Sequence, residues 1–276
     1  MKIEPLPLGF GAEVKDFEVQ QGRNPQDVAD LQAAYSEWNL LIFRNCGLLA
    51  PERQVEITGW FGKIGANADE QGRPWTVLHN DNANGSAALP FHSDITFFAH
   101  PLEGISLHPQ ALPNIETSTT FVSNAVAWDA LSPDLKREVQ DLRGRHYYAR
   151  AAEMGMDWPV LEYWHPVRLE HPKTGRPLLF VTEHHVDRIS DVSELRSAEL
   201  LSDLFATLYA PERRYEHIWH LGDLVIWDNL AIQHARTRES APSDGVRALQ
   251  RVAIGQHGFR EQLQLAQSRA GARELS

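Results

Sequence analysis

The chain has 276 residues and a formal net charge of −11, with apolar and charged fractions ordinary for a globular protein. That balance argues against a general nucleic-acid binder, which needs a basic footprint for phosphates, and against anchoring on an anionic membrane surface. Cys46 is the single cysteine, so no internal disulfide can form, and its place beside an apolar strand suits an inert thiol better than a nucleophile.

The opening "MKIEPLPLGFGAEV" lacks the apolar core of a secretory signal. No window approaches the roughly eighteen apolar residues of a membrane span, so a cytoplasmic location is expected. Asn24 and Pro25 open a helix that carries Val28, Leu31, Tyr35 and Trp38 at helical spacing. "LLIF" follows as a buried strand, and Pro51 starts a second helix. "LPFHSDITFF", residues 89 to 98, reads as an extended apolar run broken by His92 and Asp94, which at two residues' spacing share one face.

Ser132 and Pro133 repeat the cap signal, and "VRLEHPKTGRPLLFV" reads as a hairpin turning at Lys173 to Arg176. Leu200, Leu201, Leu204, Phe205 and Leu208 mark one face of a third long helix. "RRYEHIWHLGDLVIWDN" gives two strands divided by Leu221-Gly222-Asp223, and "RALQRVAIG" gives another. The stretch from about Glu261 is polar, a short helix or a frayed tail. There is no repeat, no linker and no regular alternation of strand and helix. The expected fold is one domain over residues 1–276, mainly β with flanking helices around a double-sheet jelly roll.

Two histidines and a carboxylate, His92, Asp94 and His234, are the ingredients of a facial triad, which holds a non-heme Fe(II) and leaves other positions open. A His-x-Asp pair alone is a weak signal. Arg247 and Arg251 are four apart on one strand, about 13 Å at strand rise, and share a face. Buried guanidiniums demand anions, either structural carboxylates or the acid groups of small ligands.

The segments "LLIFRNCGLLAPERQVEITGWFG", "HNDNANGSAALPFHSDITFF", "STTFVSNAVAWDALSPDLK", "EHPKTGRPLLFV", "RISDVSELRSAELLSDLFATL" and "WHLGDLVIWDNLAIQHAR" together resemble the taurine dioxygenase and 2,4-dichlorophenoxyacetate dioxygenase (TauD/TfdA) family over nearly the whole chain. The resemblance implies a double-stranded β-helix core and an Fe(II)- and 2-oxoglutarate-dependent dioxygenase that releases succinate and CO2. By match of position, His92, Asp94 and His234 correspond to the iron ligands, and Thr119 and Arg247 to the pair that holds the distal carboxylate of 2-oxoglutarate. Arg251 corresponds to an arginine that faces an anionic substrate, and Trp227 to an aromatic lining the iron pocket. Partners implied are a small carboxylate or sulfonate, 2-oxoglutarate and O2, with a homo-oligomer expected.

Departures shape the substrate expectation. The loop after His234 is about two residues longer than the common pattern, so Arg236 and Arg238 compete with Arg247 for the co-substrate. His185, beside His184, stands where the family often has Phe, and Ala88 where some members have Asn, so a taurine pocket is not expected and a hydrogen-bonding substrate is. His79 is expected in a loop at the pocket mouth, as a substrate contact or a solvated side chain. Tyr147 and Tyr148 are read as core or as an aromatic wall. His217 and His220 are read as packing or surface, without a carboxylate nearby. Two rivals remain at this level: a 2-oxoglutarate-independent iron enzyme and a non-catalytic binding module on the same barrel.

Overall fold

The computed structural model describes residues 1–20, 24–65, 72–81, 87–148, 158–239 and 241–274. A seven-stranded sheet is built from β1 (Lys2–Pro5), β2 (Ala12–Lys15), β3 (Leu40–Phe43), β4 (Trp75–His79), β6 (Gly104–Ala111), β14 (Leu224–Asp228) and β16 (Ala248–Ile254), in the order β1-β2-β3-β14-β6-β16-β4. A four-stranded sheet runs β13 (Tyr215–Ile218), β7 (Ser118–Ser123), β15 (Ile232–Arg236), β5 (Leu89–His92). A three-stranded sheet holds β8 (Arg143–Tyr147), β9 (Glu162–Pro166) and β12 (Val186–Ile189). The expected hairpin is β10 (Arg168–Glu170) against β11 (Pro177–Leu179).

The helices begin where the sequence caps them. In α1 (Pro25–Trp38) the Asn24 side chain accepts from the Gln26 N–H at 3.1 Å, and Asn39 closes the helix at φ 60. α2 (Pro51–Gly59) starts on its proline. α3 (Asn124–Ala130), α4 (Pro133–Val139) and α5 (Glu194–Leu208) are capped by Ser123, Ser132 and Ser193. The polar C-terminal stretch is a helix, α6 (Phe259–Glu274). No helix among the described residues is long and apolar enough to cross a membrane.

Three apolar clusters order the layers. Between the large sheets lie Phe121, Trp227, Ile105, Leu107, Val225 and Ile232. α1 and α2 cover the outer face of the seven-stranded sheet through Leu31, Tyr35, Ile57, Leu41 and Ile226. α5 covers the far side through Leu200, Leu204, Val122, Phe91 and Ala235. Phe91 and Ala235 thus face the helices, so their strand neighbours His92 and His234 face inward. A one-residue slip of either strand would turn its histidine out of the site.

The extended reading of Leu89 to Phe98 holds only to His92. There β5 ends, Asp94 lies in the following turn, and Ile95 takes φ 52. His79, expected in a loop, is the last residue of β4 and pairs with Ala248.

Candidate metal and co-substrate site

His92 and His234 sit opposite one another across β5 and β15, their ring centroids 4.2 Å apart. Asp94 reaches them from the turn, with Oδ1 3.4 Å from His92 Nε2 and 3.7 Å from His234 Nε2. One ligand atom from each residue lies within 4.8 Å of the others, the one such cluster among the described residues. His92 Nδ1 is 2.8 Å from the Pro90 carbonyl, which can only accept, so Nδ1 carries a proton and Nε2 is the ring atom that faces Asp94. Burial, then the neighbouring His92, pushes the His234 imidazole down to about 3, so it is neutral at physiological pH. Burial works to raise the Asp94 carboxyl, but Arg251 and the two histidines hold it well below the usual carboxylate range. Two imidazoles and one carboxylate converging on one point fit a divalent cation of the non-heme iron kind.

The turn that aims Asp94 is held by a residue that sequence reasoning did not single out. Asn229, fully buried, accepts from the Asp94 N–H at 2.9 Å and donates to the carbonyls of Asp94 at 3.2 Å and Leu102 at 3.0 Å. The available signal was the Asp-Asn pair at the end of "VIWDN", a turn signature after a strand. Ile95, next to Asp94, is β-branched with φ 52, a conformation that costs on the order of 1–3 kcal/mol and clusters at functional sites.

A cavity of about 580 Å³ opens beside the cluster, lined by His92, Asp94, His234, Trp227, Arg251, Arg236 and His79 among others. A second cavity of about 240 Å³ shares His92, Asp94, Leu89 and Phe259 with the first and adds Phe97, Tyr148, His184 and His185.

The remaining sequence-derived residues fall into place unevenly. Of the two anions open to it, Arg251 has a structural carboxylate: its Nη2 donates to Asp94 Oδ2 at 2.5 Å. Arg247 is buried, donates through Nε to Thr117 Oγ1 at 3.2 Å, and has no carboxylate at ion-pair distance among the described residues. Burial, then nearby Arg236, pulls its guanidinium down to about 10. Thr119 Oγ1, on β7, accepts from Trp219 Nε1 at 3.0 Å, and Thr117 lies just before that strand. Neither Thr119 nor Arg247 borders the larger cavity, whereas Arg236 does and donates to the Ala87 carbonyl at 2.8 Å. Arg238 turns outward to Glu116 at 2.8 Å.

Trp227 is fully buried, its ring 4.9 Å from that of His234 and its Nε1 unpartnered. The His185 ring lies 6.1 Å from His92 and 5.2 Å from Phe97, and burial, then His184, pushes it well below the usual histidine range. Tyr148 belongs to the smaller cavity's wall, while Tyr147 lies under the Arg145 guanidinium at 5.4 Å. His217 is packed as expected, but a carboxylate is present: Asp223 Oδ2 is 3.2 Å from its Nε2 and also takes Arg44 Nη1 at 2.7 Å. The folding of the Leu221-Gly222-Asp223 turn back onto β13 makes that pair, which strand alternation alone does not reveal.

The model of the family described as "Taurine catabolism dioxygenase TauD, TfdA family" matches residues 2–253. The chain belongs to that family. Among its relatives, the (S)-phenoxypropionate/alpha-ketoglutarate-dioxygenase of Sphingobium herbicidovorans is 29% identical over 85% of this chain and 88% of its own. The alpha-ketoglutarate-dependent 2,4-dichlorophenoxyacetate dioxygenase of Cupriavidus pinatubonensis is 26% identical over 85% and 91%. The crystal structure of a taurine dioxygenase from Burkholderia xenovorans superposes with a TM-score of 0.81 at 25% identity, covering 94% of this chain and 93% of that one. This TauD/TfdA protein is therefore an Fe(II)- and 2-oxoglutarate-dependent dioxygenase, mainly β with flanking helices.

Proposed function

We propose that His92, Asp94 and His234 hold the Fe(II) of this dioxygenase, and that Arg247, with Thr119 beside it, takes the distal carboxylate of 2-oxoglutarate. The observations that support the reading are three converging donors and, on the segment leading into β16, a buried guanidinium with no carboxylate at ion-pair distance among the described residues. A charge so placed is costly unless an anion completes it, and a planar guanidinium suits a carboxylate. When bound, iron supplies the coupling of O2 reduction to decarboxylation of 2-oxoglutarate and oxidation of a second substrate, giving succinate and CO2.

The chain's residues do the placing. Arg251, His79 and Trp227 border the larger cavity and His185 the smaller one, so an organic anion has a cationic contact at Arg251 and a neutral imidazole at His185. The names of the relatives, both dioxygenases of phenoxy-carboxylates, support a small carboxylate or a sulfonate as the substrate class. Hydroxylation, bond cleavage after hydroxylation, and desaturation are all open to such a site. The two facing sheets support a double-stranded β-helix core within one domain. A cytoplasmic homo-oligomer completes the reading, on family resemblance.

Anaerobic addition of Fe(II) and 2-oxoglutarate should produce a visible charge-transfer band, and O2 should then release succinate and CO2 one for one. His92→Ala should lose both. Arg247→Ala, which deletes a buried charged hydrogen-bond donor worth roughly 2–3 kcal/mol, should raise the 2-oxoglutarate requirement about 30- to 150-fold. A full band in His92→Ala would remove the metal assignment.

A further inference from the structure

The family model ends at residue 253, and α6 begins at Phe259. This helix nevertheless reaches the site, because Phe259 borders both the cavity that holds Arg251 and the cavity that holds His185. Its ring lies 6.3 Å from Phe97, 5.6 Å from Phe98 and 5.4 Å from Trp158. Leu263 and Ala266, four and seven residues on, pack against the same cluster of Phe97, Phe98 and Leu161.

So few apolar contacts near a chain end would leave a helix free to shift, but Gln262 keys it in place. Its side chain is buried; Oε1 accepts from the His100 N–H at 3.3 Å, and Nε2 donates to the His100 carbonyl at 2.8 Å. A sliding or turning helix would strand both ends of that amide and the backbone groups it satisfies. Phe259 is therefore a rigid part of the chamber, and it lies beyond the residues that the family model matches.

We infer that α6 is a wall of the substrate chamber, with Phe259 setting the size of the organic body admitted and Gln262 positioning it. The inference rests on the proposal above that the cavities beside His92 and Asp94 receive the substrate. A cavity of about 150 Å³ takes a benzene ring. The smaller cavity, at about 240 Å³, therefore has room for one substituted ring, and fused rings would meet Phe259.

The test is equilibrium binding of two probe anions, phenoxyacetate and 2-naphthoxyacetate, to protein loaded anaerobically with Fe(II) and 2-oxoglutarate. Isothermal titration calorimetry is run on the wild type, Phe259→Ala, Phe259→Trp and Gln262→Leu. The readout is the affinity ratio of the larger to the smaller probe. General loss of structure lowers both affinities and leaves their ratio alone. Phe259→Ala should raise the ratio at least tenfold, Phe259→Trp should lower it at least threefold, and Gln262→Leu should move it in the alanine direction. A ratio that moves as stated in only one Phe259 variant, or in neither, overturns the assignment, as does failure of every variant to bind either probe. An unmoved ratio in Gln262→Leu removes the positioning role. The charge-transfer band of the wild-type sample reports separately on the dioxygenase site, so its absence would sink that reading and its presence with unmoved ratios would sink only the wall.

Discussion

Asn229 offers no donor atom to the metal cluster, yet its three hydrogen bonds decide where Asp94 points. Asn229→Ala should lower Fe(II) affinity about 10- to 100-fold, the usual cost of losing a residue that orients a ligand. It should also destabilise the fold by roughly 1–3 kcal/mol, since backbone groups of Asp94 and Leu102 lose their partner. An anaerobic Fe(II) titration reads the first effect, and unchanged affinity would mean that the turn is held by other contacts. At this scale the residue types of the site were legible: His92, Asp94 and His234 converge as their pattern suggested. The route was not, because residues two apart can share a site through strand alternation or through a turn. The Asp94–Arg251 pair was hidden for a different reason, since it joins a turn to a strand far away in the chain.

α2 docks on the seven-stranded sheet through a buried polar seam. Gln54 Nε2 donates to Ser106 Oγ at 2.9 Å, its Oε1 accepts from Gln250 Nε2 at 2.8 Å, and Thr58 Oγ1 lies 2.7 Å from Ser106 Oγ. Gln250 is the strand neighbour of Arg251, so the seam braces the strand that carries that arginine. Gln54→Leu keeps the bulk but orphans the Gln250 side-chain amide and leaves Ser106 with Thr58 alone, and should destabilise by about 1–3 kcal/mol, the cost of one buried group left unpaired. Urea unfolding checks this, and a midpoint equal to the wild type's would show that those groups find other partners. Element starts were readable wherever local chemistry writes them: the Asn24 and Ser132 caps and the hairpin between β10 and β11. Nothing local writes that β14 lies between β3 and β6, or that a helical glutamine faces the sheet, because both depend on segments distant in sequence.

Over the whole molecule, acid should be the weak side. Burial pushes His165 from its ordinary 6.5 to about 4, although the carbonyls of Thr96 and Phe98 at 2.8 and 3.0 Å work to raise it. Above pH 6.5 neither the folded nor the unfolded chain holds that proton; as pH falls toward 4 the unfolded chain takes it first, so folding stability declines across that window. His165 alone removes about 2 kcal/mol by pH 5, and denaturant midpoints that coincide at pH 7 and pH 5 would contradict it. The mainly β architecture was legible from alternation and from the lack of strand–helix repeats. The role of α6 was not, since its polar sequence carries no sign that Phe259 will reach the cavities. Arg236 and Arg251 line one cavity of a chain whose net charge is −11. An approaching dianion is thus repelled at long range and welcomed only near the mouth. The screening distance shrinks from about 30 Å at 0.01 M salt to about 8 Å at 0.15 M, so added salt quenches the distant repulsion before the close attraction. In stopped-flow mixing, 2-oxoglutarate should enter faster at 0.15 M than at 0.01 M, and a rate that drops instead would show that the arginines govern even the far field.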